Sequence, residues 1–393
     1  MTIPTVRLTK PLDRALRGGH PWVFRDAVRL PKGLASGDVV DLADEKGAFV
    51  ARGTIDPASP LVFRAWTLDQ SQPLDDAFLR ARLSAARSFR QDVMSSDVTA
   101  YRVCHGENDG VPGLHCDWYD GIASLRCDGT LGAAWEDRFV SAVRAVWSPR
   151  AIVVRNRVVD GGAARVVAGR VDEEVVIQEY DRRFYVDVVK GQKTGFFLDQ
   201  RENRSRVAEI SGGKDVLNVF AYTGGFSVAA ALGGATRVTT VDIAAPAVET
   251  AERTFRLNGL DPAKHAFQAA DAFDVLADLS SRGAAGQHGP HNLIVLDPPS
   301  FVRNRASRER GIRAYWKLNE MALRALPPGG WLCTASCSSH ISDADFLEIV
   351  RHAVSETGRS AHIAGLFGAG PDHPTRPGFA EGRYLQFVML RVV

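Results

Sequence analysis

From residue 215 to the carboxyl end, short apolar runs alternate with longer runs of helical spacing, and few folds accept that pattern. The apolar runs are DVLNVF (215–220), RVTTVDI (237–243), AFQAAD (266–271), NLIVLD (292–297), GGWLCTAS (329–336) and YLQFVMLRVV (384–393). Helical runs follow several of them, among them VAAALG (228–233), AVETAERTFRLNGL (247–260), YWKLNEMALRAL (315–326) and ADFLEIVRHAVSETG (344–358). Parallel strands need a long crossover, usually a helix, so this alternation predicts a mostly parallel, doubly wound α/β sheet. Such sheets bind their ligands at the carboxyl ends of the strands. SSRGAAGQHGPH (280–291) reads as a flexible polar loop.

The chain before this segment is different. Up to about residue 72 it holds close-set strand-like runs, PWVFRDAV (21–28), GDVVDLAD (37–44), GAFVARGTI (47–55) and LVFRAWTL (61–68), punctuated by Pro31, Gly33, Gly37 and Gly47. That spacing predicts a small β-barrel. The polar stretch DQSQPLDD (69–76) marks a boundary. Beyond it, Phe78, Leu79, Leu83, Ala86 and Phe89 fall at helical spacing, and strand-like pieces flank a second helix, WEDRFVSAVRAVW (135–147). The expected organisation is therefore 1–72, a compact α+β module over 73–182, and the sheet domain over 183–393.

Bulk composition excludes some classes. The opening residues lack an apolar core of signal-peptide length, and no run of about 18 apolar residues occurs, so a cytoplasmic chain without a membrane span is expected. Five cysteines without close paired spacing argue against a disulfide framework or a zinc ribbon, and no metal is expected. A net charge of +2 decides nothing about nucleic acid. Its local distribution says more: Arg303, Arg305, Arg308, Arg310 and Arg313 face a single Glu309, directly after the Asp-Pro-Pro turn at 297–299. Charge runs are usually solvated loops, but arginines beside a catalytic edge suit phosphate contacts.

The turn after the first of these strands reads Phe220, Ala221, Tyr222, Thr223, Gly224, Gly225, then helix. Glycine there lets a ligand approach the backbone, and the helix amino terminus receives negative charge. Asp242 with Ile243 closes the next strand about twenty residues on, where an acid takes ribose hydroxyls. Asp271 with Ala272 closes the third and could accept from an adenine amino group. The turn is not G-x-G-x-x-G and no second dinucleotide half follows, so S-adenosyl-L-methionine fits better than a nicotinamide coenzyme.

At the fourth strand, Asp297-Pro298-Pro299 must break the sheet and leave the carboxylate at its rim, since proline cannot continue a central strand. The turn resembles the (Asp/Asn)-Pro-Pro-(Tyr/Phe) turn of amino- and base-modifying methyltransferases, with Ser300 in the fourth place and Phe301 one residue later. Cys337 closes the fifth strand, and a parallel neighbour brings it beside Asp297. A cysteine there suits attack on C6 of a pyrimidine, which activates C5 toward a methyl group. Cys333, Cys104, Cys116 and Cys127 read as core residues.

Taken together, LTKPLDRALRGGHPWVF (8–24), GQKTGFFLDQRENR (191–204), FAYTGGFS (220–227), LDPPSF (296–301) and SCSS (336–339) closely resemble the large-subunit ribosomal RNA 5-methylcytosine methyltransferases, over nearly the whole chain. The resemblance implies an amino-terminal PUA domain and a central module for RNA, followed by a Rossmann-like methyltransferase domain. It implies Cys337 as nucleophile and Asp297 facing the cytosine, with Phe197, Asp199, Gln200 and Arg201 nearest the methionine and substrate end. Pro298, Pro299, Phe301, Arg303, Arg305 and Arg308 would lie along the RNA. Many cytosine-C5 enzymes carry a second cysteine after the first proline to release product; here that place is Pro299, so release must use another base. DHPTR (372–376) and EGRYL (381–385) also match, without an assignable role.

Two other readings stand beside this one. A ribosomal RNA guanine methyltransferase would need no thiol. A non-catalytic RNA-binding assembly factor would keep the cofactor with an inert Cys337. Self-association is left open.

Overall fold

The computed structural model describes residues 3–302 and 304–393, apart from the side chains of Asp160 and Arg305. The expectation for Arg303, and for the side chain of Arg305, therefore lies outside the described residues. Contacts divide the chain into two units. The first takes the chain up to Ile177 together with Val186–Leu198 and Pro371–Gly382; the second takes Gln178–Tyr185, Asp199–Gly370 and Arg383–Val393.

Among the described residues the first unit contains two sheets. Strands β1 (Thr5–Leu8), β2 (Trp22–Phe24), β3 (Val28–Arg29), β4 (Val39–Ala43), β5 (Phe49–Ile55) and β6 (Leu61–Thr67) form a six-stranded sheet ordered β2-β6-β5-β4-β1-β3. Helix α1 (Asp13–Arg17) adds Leu16 to its core of Val6, Leu8, Val23, Val40, Leu42 and Phe63. β1 carries no signal strong enough to be read from the sequence, being four residues with two exposed.

Helix α2 (Asp76–Val93) follows, started by the Asp75 carboxylate, which accepts from the Phe78 amide at 2.8 Å. Strands β7 (Ala100–His105), β8 (Leu114–Tyr119) and β9 (Ile122–Cys127), helix α3 (Gly129–Trp147), strand β10 (Ala151–Asn156), helix α4 (Arg157–Asp160) and strand β11 (Ala164–Ala168) complete a five-stranded sheet, β11-β10-β9-β8-β7. Phe78, Leu79 and Leu83 of α2 and Phe139 and Val143 of α3 belong to one core with the sheet. Cys104, Cys116 and Cys127 lie in that core, where burial pushes their thiols well above the usual range.

The chain then runs through a two-stranded hairpin, β12 (Val175–Glu179) and β13 (Arg182–Val186), into the second unit. There, helix α5 (Arg201–Ile210) precedes β14 (Asp215–Val219), α6 (Gly225–Leu232), β15 (Arg237–Asp242), α7 (Ala245–Leu257), β16 (Ala266–Ala269), α8 (Ala272–Ala284), β17 (Leu293–Leu296), α9 (Arg308–Ala325), β18 (Trp331–Ser336), α10 (Asp343–Glu356), β19 (Ala361–Phe367) and β20 (Gln386–Val392). The seven-stranded order is β16-β15-β14-β17-β18-β20-β19. The first five strands are parallel, and β20 runs antiparallel between β18 and β19. Among the described residues no helix is long and apolar enough to cross a membrane.

Two sequence expectations need correction. Residues 280–284 are not loop but the last turns of α8, because Leu279, Ser280 and Gly283 are buried. The arginine run is likewise not a loop throughout: from Arg308 it forms the first turns of α9, whose buried Gly311 and Tyr315 fix its face. Gly283 shows what the helix pair requires. A Cβ there would fall 1.9 Å from the Arg324 carbonyl oxygen of α9.

This close approach gives opposing signs to one substitution. Helix propensity alone would favour Gly283→Ala by about 1 kcal/mol. The clash with backbone must instead push the helices apart, as overpacking does, at about 1–3 kcal/mol. Chemical denaturation of Gly283→Ala should therefore show net destabilisation; a raised midpoint would contradict the close helix packing.

Candidate active site

The site is built at the carboxyl ends of β14, β15, β17 and β18. The turn leaving β14 is forced into an uncommon backbone. Phe220 (φ 58°), Tyr222 (φ 49°) and Gly224 (φ 80°) all occupy the left-handed region. For two large aromatic residues this costs about 1–3 kcal/mol each and persists only where the surroundings impose it. Gly224 is doubly required, since a Cβ would lie 2.7 Å from the Ala251 methyl of α7.

The surroundings that impose the turn are hydrogen bonds. The Ala221 amide donates to the Val241 carbonyl at 3.0 Å, and the Tyr222 amide donates to Asp242 Oδ2 at 2.7 Å. Asp242 Oδ1 accepts from the Ala244 amide at 3.0 Å. Beneath, Asn218 Nδ2 and Thr240 Oγ1 both donate to Ser227 Oγ, at 2.9 and 2.8 Å, and lock α6 to β14 and β15. Gly225 opens α6 and is buried.

A ligand fits this turn on one observation in particular. The Thr223 hydroxyl is buried, the residue being 9% exposed, and has no hydrogen-bond partner among the described residues. A buried orphan hydroxyl costs about 1–3 kcal/mol unless something satisfies it. Next to Asp242, Ile243 is 75% exposed, an apolar platform for a flat ring. Asp271 is exposed and spends Oδ1 on capping α8 through the Phe273 amide at 2.7 Å, so any contact to an adenine falls to its other oxygen. Ala272 is buried in the core.

The parallel register of β17 and β18 pairs Leu296 with Thr334, which carries the two following turns past each other. Cys337 Sγ lies 3.8 Å from the Pro298 carbonyl oxygen. Ser300 Oγ meets Ser338 Oγ at 2.8 Å, and Ser338 Oγ meets the Tyr315 hydroxyl at 3.0 Å, so the two turns are stitched to each other and to α9. Burial raises the Tyr315 phenol, which keeps it a neutral hydrogen-bonding group. Pro298 is buried and Pro299 exposed. Phe301 packs among Tyr315, Phe273 and Phe220, at ring separations of 4.8, 6.1 and 6.5 Å.

Asp297 is held from below. Gln200 Nε2 donates to Asp297 Oδ1 at 2.8 Å. Asn203 Nδ2 in turn donates to Gln200 Oε1 at 2.6 Å and to the Gly368 carbonyl at 3.1 Å. Asp199, also buried, accepts from the Tyr384 hydroxyl at 2.6 Å. Arg201 is fully buried and pairs with Glu202 at 3.3 Å. Phe197 belongs to the first unit, where Lys193 Nζ stands 4.2 Å from its ring centre. Arg308 is paired with Asp345 at 2.6 Å, on the carboxylate that also closes the capping box of α10.

Sequence reading missed Asn203, Tyr384 and Tyr315. Asn203 lay inside a quoted motif, and Tyr384 inside EGRYL, which had no assigned role. Tyr315 looked like an ordinary core aromatic.

Residues 130–377 match the S-adenosylmethionine-dependent methyltransferase family, and residues 6–68 match a PUA-like domain. A ribosomal RNA large subunit methyltransferase of Deinococcus radiodurans is 40% identical over 405 residues, covering 98% of this chain and 97% of that one. Ribosomal RNA large subunit methyltransferase I of Pseudoalteromonas atlantica is 33% identical, covering 97% of each chain. In fold, a Streptococcus mutans S-adenosylmethionine-dependent methyltransferase matches with a TM-score of 0.87 at 22% identity, over 99% of this chain and all of that one. A methyltransferase solved in complex with SAH matches with a TM-score of 0.87 at 23% identity, over the full length of both. A β14 turn shaped for a ligand and full-length kinship lead to one conclusion: the chain belongs to the S-adenosylmethionine-dependent methyltransferases, in the ribosomal RNA large subunit methyltransferase family, and takes S-adenosylmethionine as its cofactor.

Proposed function

We propose that this protein methylates C5 of a cytosine in large-subunit ribosomal RNA through a transient covalent bond between Cys337 and the base. The observation that carries the reading is the juxtaposition at the β17 and β18 ends: a thiol 3.8 Å from the Pro298 carbonyl, one residue from Asp297. A guanine methyltransferase, attacking with a nitrogen, has no use for that thiol.

Bound S-adenosylmethionine supplies an electrophilic methyl group. The Tyr222–Gly225 turn would hold it, with Thr223 Oγ1 satisfied by the ligand, Asp242 at the ribose and Ile243 under the adenine. The 1–72 and 73–182 segments, together with Val186–Leu198 and Pro371–Gly382 of the same unit, would hold the RNA, with the rest of 183–393 as the methyltransferase domain. The target base leaves its helix at a cost of a few kcal/mol. The Pro298 carbonyl oxygen then accepts from the amino group of the base, and the Asp297 carboxyl, aimed by Gln200, shares a proton with N3. Cys337, as thiolate, adds to C6 and places the electron pair on C5, which takes the methyl group. Loss of the C5 proton returns the pair to the ring and expels the thiolate. With Pro299 where a second cysteine would stand, that proton goes to another base, such as water.

Cys337→Ala should reduce 5-methylcytosine formation by about a thousandfold or more while S-adenosylmethionine still binds. Methylation near the parent rate would remove the covalent mechanism and put the guanine reading first.

Asp242→Ala should weaken S-adenosylmethionine by a few kcal/mol in calorimetry, since a charge-assisted hydrogen bond contributes about 1.5–3 kcal/mol. The same change unties the Tyr222 and Ala244 amides. Unchanged affinity would take both the ribose and the turn away from Asp242.

A further inference from the structure

The DHPTR segment has no part in the site above. It lies in the first unit, where the Asp372 side chain is fully buried and Oδ2 accepts from the Arg102 amide at 2.8 Å. Arg90 donates to the Asp372 carbonyl at 2.9 Å. These bonds deliver Arg376 to a cavity of about 160 Å³ that also meets His20, Trp66, Leu68 and Arg82.

The two guanidiniums converge there. A Cβ on Gly110 would lie 2.9 Å from Arg376 Nη2 and 3.8 Å from Arg82 Cζ, so both close over the same backbone. Among the described residues neither forms an ion pair. Arg82 reaches only the Trp66 carbonyl, at 3.5 Å, and stands 5.0 Å from the Phe78 ring centre. Arg376 Nε donates to the Asn108 carbonyl at 3.2 Å. The nearby acids are committed elsewhere: Asp109 takes Arg90 bidentately at 2.6 and 2.7 Å, while Glu107 takes Trp22 Nε1 at 3.0 Å and Arg64 at 3.2 Å. Glu107 and Asp109 still draw on Arg376 at a distance, but burial and the neighbouring Arg82 both work against its charge.

Two like charges, each half-buried and facing one cavity, are costly unless an anion joins them. A guanidinium pair matches the oxygens of a phosphate in spacing and direction. Leu68, 44% exposed, and the His20 ring give the rim apolar surface for a sugar. We propose that Arg82 and Arg376 form a phosphate site that grips one backbone phosphodiester of the RNA, at the edge of the PUA-like sheet. This rests on the ribosomal RNA reading above.

The full chain carries the test. A fragment of large-subunit ribosomal RNA is titrated at several salt concentrations against the parent, Arg82→Gln, Arg376→Gln and the double variant. Thermal melting and S-adenosylmethionine calorimetry report whether each variant is folded. Each single variant should bind RNA about tenfold more weakly, and the log–log salt slope should flatten by about 0.7–0.9, the loss of one phosphate contact. Should Arg376→Gln fail to fold, Arg82→Gln, which shortens a half-buried side chain at the cavity mouth, decides alone. Folded variants with parental affinity and slope would overturn the proposal. Inorganic phosphate that raises the melting temperature of the parent alone, without any RNA effect, would show an adventitious ion only, and also overturns it. A parent that binds no RNA would sink the substrate reading itself.

Discussion

Everything the second unit does chemically depends on the parallel pairing of β17 with β18. The register is fixed by four pairs, Leu293 with Trp331 through Leu296 with Thr334, buried except for the half-buried Trp331, and a slip of one residue would turn every side chain to the opposite face. In register, the two strands end together. Asp297-Pro298-Pro299 stops one by removing its donors, and Cys337 follows the other by one residue. The thiol therefore meets the Pro298 carbonyl without any long loop having to be ordered. Ser300, Ser338 and Tyr315 then fasten the turns, so that loop entropy does not blur the spacing.

The cofactor turn uses the opposite strategy. Its backbone is held in left-handed conformations at Phe220 and Tyr222, and the hydrogen bonds that hold it come from Asp242, the residue expected at the ribose. Strain, a buried orphan hydroxyl at Thr223 and an exposed Ile243 are each unfavourable alone. Together they describe a surface that a ligand completes. The two halves of the site differ accordingly: the turns after β17 and β18 are fastened to each other by side-chain hydrogen bonds, while the turn after β14 leaves the Thr223 hydroxyl for a ligand.

Much of this was legible in the sequence, for identifiable reasons. Strand ends carry chemistry in parallel sheets, so Asp242, Asp271, Asp297 and Cys337 could be read from position alone. The strand at Ala361–Phe367 was not legible, because most of its residues are exposed or half-exposed and the alternation is weak. The arginine run looked like a loop because charge hides helical period; only Gly311 and Tyr315 reveal the buried face of α9. Arg308 is spent partly on Asp345, a pairing set by tertiary structure that no spacing announces. Least legible were DHPTR and EGRYL. Asp372 lies 270 residues from Arg102, and Tyr384 lies 185 from Asp199, so their roles exist only after folding.

The central claim is a bond between Cys337 and a cytosine ring. The most direct measurement is mass spectrometry of the protein after turnover on ribosomal RNA carrying 5-fluorocytosine, whose C5 fluorine cannot leave as a proton does. The account expects a stable RNA adduct on the peptide containing Cys337, formed only with S-adenosylmethionine present. Complete absence of an adduct, with methylation of normal RNA proceeding in the same preparation, would contradict it.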